Sequence, residues 1–341
     1  MEISIVEYLV LSLATFFIVG FLTPVMRKLA LKRQVLDLPN SSHKTHVVPI
    51  PYMGGIAIMV GILVVSYTAL LYQDRPVQEI LIASSVLIPA TFLGLIGLAD
   101  DIRNLPPFPK FVAQSLAGIF TAIVLILTSS IGNPSGNQVL DIAITILWVV
   151  GITNSINFFD NLDGGASGAV AVISTGVFLI AFSNGQYLVA ALSIVTTGAT
   201  MGFLLWNRSP ARIYMGDAGA LFLGVLTSVL ALRLDPEVDS KLTSFAVPLL
   251  LLAVPILDTS VAVVSRVKRG VSPFQGGQDH LSHRLMKRGF SKRESAFSLW
   301  SLAGIFVAAA VGVSTVVANP LAFLVLSTGF WLILFLVFLY S

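Results

Sequence analysis

Eleven charge-poor apolar stretches, each roughly 20 residues long, dominate this 341-residue chain: approximately 5–26, 53–72, 80–99, 111–129, 140–158, 165–183, 187–206, 217–233, 242–264, 296–318 and 321–340. A helix needs about 20 apolar residues to cross a ~30 Å hydrocarbon core, and inside lipid only a helix or a closed barrel satisfies its own backbone. Two divisions rest on breakers within longer apolar runs, Ser183-Asn184-Gly185 and Asn319-Pro320. A charged fraction of 11%, against a globular norm of about 25%, leaves too little polar surface for a water-soluble fold, and 56% hydrophobic residues exclude a disordered chain. The expected fold is all-α and polytopic: one integral membrane domain over residues 1–341 with about eleven transmembrane helices. The first stretch follows Glu2 and carries Glu7 where a signal peptide has a basic segment, so it is read as a retained span with its N-terminus outside.

From that start, seventeen of the 20 Lys and Arg residues fall in inner loops and only Arg75, Arg233 and Lys241 fall outside. This is the asymmetry of the positive-inside rule, and it puts the C-terminus in the cytosol. All four histidines and most aspartates share the inner side, whereas a secondary transporter concentrates ionisable groups near the midplane on broken helices. A cytosol-facing active site is expected, built from loops 27–52, 100–110, 157–164, 207–217 and 265–295. A net charge of +3 is too mild to imply nucleic acid as a partner. The absence of cysteine excludes thiolate metal sites and cysteine nucleophiles, and the absence of any Gly-Lys pair excludes a Walker A loop.

Within these loops the carboxylates are grouped. Asp100-Asp101 ends a span at a helix C-terminus, where the helix dipole disfavours negative charge, so the pair either takes a cationic partner such as Arg103 or Lys110 or handles a metal or phosphate. In Asn157-Phe-Phe-Asp160-Asn-Leu-Asp163-Gly-Gly the two aspartates share one face if the helix continues, while Asp163 alone is also placed to cap the next helix. Asp217, in Met215-Gly216-Asp217-Ala218-Gly219, stands at an N-cap position and is alternatively a metal ligand. Asp258 falls about 16 residues, or ~24 Å, into a span, which makes it a structural ion-pair partner or a site residue. His280-x-x-His283-Arg284, amid eight basic residues, suits a cationic cradle for a diphosphate with Arg284 as bidentate ligand. Zinc is disfavoured because H-E-x-x-H is missing.

Taken together, these motifs resemble the polyprenyl-phosphate N-acetylhexosamine-1-phosphate transferase family, and in the H-x-x-H-R-L element its N-acetylglucosamine-1-phosphate branch. The likeness rests on Asp37-x-Pro39-Asn40, His43-Lys44-x-His46, Pro49-Ile50-Pro51-Tyr52-x-Gly54-Gly55, Asp100-Asp101 with Lys110 and Gln114, Asn157-x-x-Asp160-x-x-Asp163-Gly164, Met215-Gly216-Asp217-x-Gly219, and His280-x-x-His283-Arg284-Leu285. Asn161, Gly165 and Ser282 depart from the common pattern. The resemblance implies transfer of a sugar-1-phosphate from a UDP-N-acetylhexosamine to undecaprenyl phosphate at the inner (plasma) membrane, with release of UMP. It also implies magnesium, with manganese as a substitute, on Asp217 and Asp101. Asp100, Asp101, Asp160, Asp163, His280 and His283 are the implied catalytic residues, and Lys44, His46, Lys110, Asn157 and Arg284 the implied substrate contacts. A phospho-MurNAc-pentapeptide transferase is the alternative within the family, a transporter of an anionic metabolite the alternative outside it, and a homodimer is compatible with either.

Overall fold

Each apolar stretch folds as helix, and caps set several of the ends. The structure is a computed structural model describing residues 3–37, 48–72, 75–103, 105–127, 137–238, 240–273, 277–315 and 319–340. The helix α1 (Ile5–Arg33) starts in a capping box, Ser4 accepting from the Glu7 backbone while Glu7 reaches back to the Ser4 N–H. Its last two turns carry Arg27, Lys28, Lys32 and Arg33, so part of the first basic loop is helix. A two-residue antiparallel pair, β1 (Leu36–Asp37) with β2 (Ile50–Pro51), then closes the neck of that loop.

The succeeding helices are α2 (Gly54–Tyr72), α3 (Val77–Arg103), α4 (Pro107–Leu127), α5 (Gln138–Phe159), α6 (Gly165–Ser183), α7 (Tyr187–Asn207) and α8 (Gly216–Arg233). After them come α9 (Lys241–Leu251), α10 (Ala253–Lys268), α11 (Leu281–Lys287), α12 (Lys292–Thr315) and α13 (Pro320–Leu339). Among the described residues ten helices are long and apolar enough to span a membrane, and eleven spans result when α9 and α10 are taken as one. The chain is thus a multi-pass, all-helical membrane protein.

The ninth stretch corrects the sequence reading. In place of one straight helix, α9 and α10 meet at 75°. Pro255 has no N–H to return to the Leu251 carbonyl, and its ring belongs in a first helical turn, so a new helix starts at Ala253. A straight run to Asp258 therefore does not exist: that residue lies six positions beyond the break, on the second arm.

Helix α8 is the axis of the bundle, with 83% of its spanning window buried against 11% for the peripheral α13. It packs on α3, α5 and α2, while α7 joins α1 to α6 and α12 covers α6 and α9. Without a hydrophobic drive between helices in lipid, close backbone approach supplies the contact. A Cβ on Gly55 would lie 2.1 Å from the Gly219 nitrogen, and one on Gly97 would lie 2.3 Å from the Asp217 carbonyl oxygen. Helices α2 and α3 thereby rest directly on the first turn of α8, which carries Asp217.

Candidate active site

Four helix ends bring their polar residues to that first turn. Asp100 and Asp101 close α3, Lys110 lies in the first turn of α4, Asn157 in the last turn of α5, and Asp217 in the first of α8. Lys110 bridges two carboxylates, reaching Asp100 Oδ2 at 2.6 Å and forming an ion pair with Asp217 Oδ2. The second Asp217 oxygen accepts from Asn157 Nδ2 at 2.9 Å, and Asp100 Oδ1 accepts from the Leu105 N–H at 2.6 Å. One turn below, Gln114 and Asn154 exchange amide hydrogen bonds, Asn154 Nδ2 donating to Gln114 Oε1 at 2.7 Å. Gln114 follows Lys110 by one turn and Asn154 precedes Asn157 by about one, so this pair, Gln114 buried and Asn154 half-buried, fixes α4 against α5 beneath the site.

Asp101 plays a different part from its neighbour. Its two oxygens accept the backbone N–H groups of Asp217 and Ala218 at 2.8 and 3.1 Å. Neither the Met215 N-cap nor Asp217 caps α8 with its own side chain, so Asp101 caps it from α3. The positive N-terminus of α8 is the compensation that a carboxylate at the C-terminus of α3 required. Gly216, at φ +68°, makes room, since a Cβ there would lie 2.4 Å from Asp101 Oδ2. Of the expected magnesium pair, Asp101 is thus committed to backbone, and Asp217 is free of the capping duty proposed for it.

The 157–164 segment does not continue as helix. Helix α5 stops at Phe159 and Gly164, at φ +73°, is the N-cap of α6. Asp163 is therefore not the cap: it accepts from the Ala211 N–H at 3.2 Å and the Tyr214 hydroxyl at 3.3 Å, pinning the 208–215 turn. Asn207, a residue the sequence reading passed over, completes that pin. Its Oδ1 accepts from the Gly164 N–H and the Ser167 hydroxyl, and its Nδ2 donates to the Ile213 carbonyl. A lone buried asparagine closing an apolar span was the available signal. Among the described residues Asp160 engages only its backbone in hydrogen bonds. Burial first, then the nearby Asp217 and Asp163 charges, push its carboxyl up to about 8.

The histidine element forms a second cluster. His283 and Arg284 lie on α11, a helix within what reads as loop, and His280 is its N-cap residue. Asp258 accepts from His280 Nδ1 and from the Leu281 N–H, both at 2.7 Å. His280 Nε2 faces Arg266 Nη2 at 3.0 Å, and a guanidinium only donates, so Nε2 accepts and the ring carries its proton on Nδ1. Asp258 is thus a pairing residue, and both nitrogens of His280 are in use. Arg266 and Arg269 hold Asp279 below the usual carboxylate range against the opposing effect of burial. Arg284, expected as a bidentate diphosphate ligand, instead donates to the Phe338 carbonyl, Ser265 Oγ and the Asp279 carbonyl at 2.6, 2.6 and 3.0 Å. It is a clasp between α11, α10 and the end of α13. His283 is buried, its Nδ1 has no partner among the described residues, and burial pushes it down to about 4.

The two clusters are joined where Ser282 donates to Asn161 Oδ1 and where the Phe158 ring meets His280 edge-on at 6.2 Å. Asn161 and Ser282, two departures from the common motif pattern, are thus each other's partners. Lys44 and His46 lie outside the described residues. Among those described, no three His, Asp or Glu side chains form a ready-made metal cage. Asp100 and Asp217 bring hard carboxylate oxygens together, held in this structure by Lys110 and by Asn157 Nδ2, and such a pair fits magnesium taking one or two carboxylates and completing its shell with phosphate and water.

The family model for glycosyl transferase family 4 matches residues 83–235, which contain Asp100 through Asp217. The chain is 32% identical over 342 residues to a probable undecaprenyl-phosphate N-acetylglucosaminyl 1-phosphate transferase of Bacillus subtilis, covering 99% of this chain and 89% of that one. It is 30% identical over 344 residues to a decaprenyl-phosphate N-acetylglucosaminephosphotransferase of Mycolicibacterium smegmatis, covering 92% and 83%. A phospho-N-acetylmuramoyl-pentapeptide-transferase of Staphylococcus carnosus is 27% identical over 252 residues, covering 67% and 75%.

Proposed function

The chain belongs to glycosyl transferase family 4, and from that premise we propose that it transfers N-acetylglucosamine-1-phosphate from UDP-N-acetylglucosamine to undecaprenyl phosphate. The observation that carries this reading is the convergence of Lys110, Asp100, Asn157 and Asp217 at one end of the bundle, inside the matched segment of a chain alike over nearly its full length to GlcNAc-1-phosphate transferases. Relatives acting on MurNAc-pentapeptide align with only 67% of this chain, which disfavours that donor. The transporter alternative loses its support as well, because one bent helix pair is found among the described residues where paired broken helices are expected.

In the proposed reaction an oxygen of the lipid phosphate attacks the β-phosphorus of the UDP-sugar. The bond from that phosphorus to the bridging oxygen breaks, and UMP leaves with the electron pair. Lys110 places one positive charge between two carboxylates at the membrane end of the site, where phosphate oxygens exchange places with aspartate oxygens around it. Asp160, whose proton affinity is raised and whose side chain is uncommitted, is suited to hold a proton from the acceptor phosphate. Asp217, oriented by Asn157 and with Asp100 across Lys110, would hold magnesium, which would neutralise charge on the diphosphate and on the departing UMP. The preference for a direct attack rests on the absence of cysteine and on the commitment of Asp101 and Asp163 to structural bonds.

The site is assigned to the cytosolic side of the plasma membrane, with the N-terminus outside, on the distribution of 17 basic residues. The reaction is tested with purified protein, a panel of UDP-sugars, and magnesium added or chelated. UMP should appear only with UDP-N-acetylglucosamine, magnesium and a polyprenyl phosphate together. Release of UDP would refute sugar-phosphate transfer, and labelled UMP exchanging into the donor without lipid would refute direct attack. In intact cells an impermeant thiol reagent should label Ser240→Cys and not Ser272→Cys.

A further inference from the structure

A cavity of about 880 Å³ opens between the end of α7, the 208–212 turn and the first turns of α12. Three guanidinium groups line it, those of Arg208, Arg212 and Arg293. Arg212 lies over the Trp206 ring, 5.8 Å from its centroid, and Arg293 spends one N–H on the Ser209 carbonyl at 3.1 Å. Among the described residues none of the three has a carboxylate within ion-pair distance. The two acids in the wall are engaged elsewhere: Asp163 accepts from Ala211 and Tyr214, and Glu294 accepts from the Ser291 N–H and hydroxyl at 2.8 and 2.7 Å.

The exposed rim of the cavity is mixed, with Arg208, Arg212, Arg293 and Glu294 beside apolar side chains. Leu205 on α7 and Phe297 on α12 are 47% and 66% exposed, and both belong to membrane-spanning helices at the end of the bundle that carries the aspartates. A ligand entering there meets three unneutralised cations at interfacial depth and a hydrocarbon-facing rim beside them. A water-soluble anion has no use for that rim, whereas a lipid satisfies both halves at once.

We propose that this cavity binds the phosphate headgroup of an anionic phospholipid of the surrounding bilayer, the arginines holding phosphate oxygens and the acyl chains lying along Leu205 and Phe297. Guanidinium groups suit the task because they stay charged and bind phosphate through paired N–H donors. The inference is independent of the transfer reaction and uses none of its residues except Asp163, which forms part of the wall.

The test compares the wild type with Arg208→Gln/Arg212→Gln, two side chains that make no hydrogen bond to the protein among the described residues. Retention of phosphatidylglycerol and phosphatidylcholine on detergent-purified protein is measured by native mass spectrometry, with melting in detergent alone as the control for folding. Phosphatidylglycerol should be retained in preference by the wild type, and the double variant should bind it roughly 25-fold more weakly, about five-fold for each arginine near the surface. Equal retention of the two lipids, or equal retention by the two proteins, overturns the proposal. Displacement of the lipid by millimolar inorganic phosphate would reassign the cavity to free phosphate, and displacement by UMP would reassign it to the nucleotide. If the double variant melts well below the wild type in detergent alone, Arg208→Lys/Arg212→Lys decides instead. It should keep most of the preference, and its loss of the preference while fully folded counts against the site.

Discussion

Replacing Asp101 by asparagine separates a capping carboxylate from a metal ligand. The wild-type side chain accepts the Asp217 and Ala218 N–H groups at 2.8 and 3.1 Å. Asparagine keeps one acceptor oxygen and turns an NH2 group toward the other N–H, so one bond is lost and the charge facing the α8 dipole disappears. A lost cap costs about 1 kcal/mol and the lost charge at a partly buried helix end about 1 more, for roughly 2 kcal/mol together. In a chain of this size that lowers the melting midpoint by a few degrees. Turnover should fall steeply alongside, because the same bond positions the backbone of Asp217. Gly216→Ala reaches the same interaction from the other side, since its Cβ would lie 2.4 Å from Asp101 Oδ2. The two substitutions should therefore be strongly non-additive in a double-mutant cycle, the second adding little once the first has opened the contact. The assays are melting in detergent with chelator present and UMP release with magnesium in excess. An Asp101→Asn protein with an unchanged midpoint and additive behaviour with Gly216→Ala would refute the capping assignment.

Asp160 holds its proton to about pH 8 in the folded protein and loses it near pH 4 when unfolded, so its contribution to stability is whole below about pH 4 and is lost as the pH climbs through about 8. Asp160→Asn, which cannot ionise, should gain midpoint temperature over the wild type between about pH 5 and 9 in chelator, and a constant difference would contradict the shift. His283, pushed down to about 4, is neutral throughout that range, so His283→Asn should leave the shape of the pH–rate profile unchanged whatever it does to the rate. Arg284→Ala should lower the melting midpoint by several degrees through loss of the clasp on Phe338, Ser265 and Asp279, with the donor KM nearly unchanged; a large KM rise at constant stability would restore the phosphate-ligand reading.

The spans were legible because membrane thickness and the cost of buried charge act on contiguous sequence: every stretch reappears as helix, the first prolonged to Arg33 and the ninth broken into α9 and α10. The pairing of Lys110 with Asp100 was legible because a carboxylate at a helix C-terminus calls for a cationic partner; that Asn157 and Asp217 join it was not. What escaped depends on distances along the chain that no local pattern encodes. The cap of α8 comes from a carboxylate 116 residues earlier, and Asn207 reaches back 43 residues to Gly164. The break at Leu252 was hidden because a proline in an apolar run reads as a tolerated kink until the packing around it is known. Arg284 looked like a ligand because its partners, Ser265 Oγ apart, are backbone carbonyls, and those have no sequence signature.

The clasp on α13 also bears on how the protein is made. Asp100, Lys110, Asn157 and Asp217 belong to helices α3, α4, α5 and α8, so their cluster can assemble as soon as α8 has entered the membrane. Helix α11 lacks that independence: its arginine reaches carbonyls at Phe338 and Leu339, and Lys268 stacks on Tyr340, residues made only with and just after the last turn of α13. During synthesis there is consequently an interval in which the aspartate half of the site stands formed while the histidine half, held by Asp258 and Arg266, still lacks its clasp on α13. Membrane insertion of α13, the least buried of the spanning helices, is then the step that closes the clasp on Arg284, and defects in that peripheral span should surface as loss of function in nascent chains whose aspartate cluster is already in place.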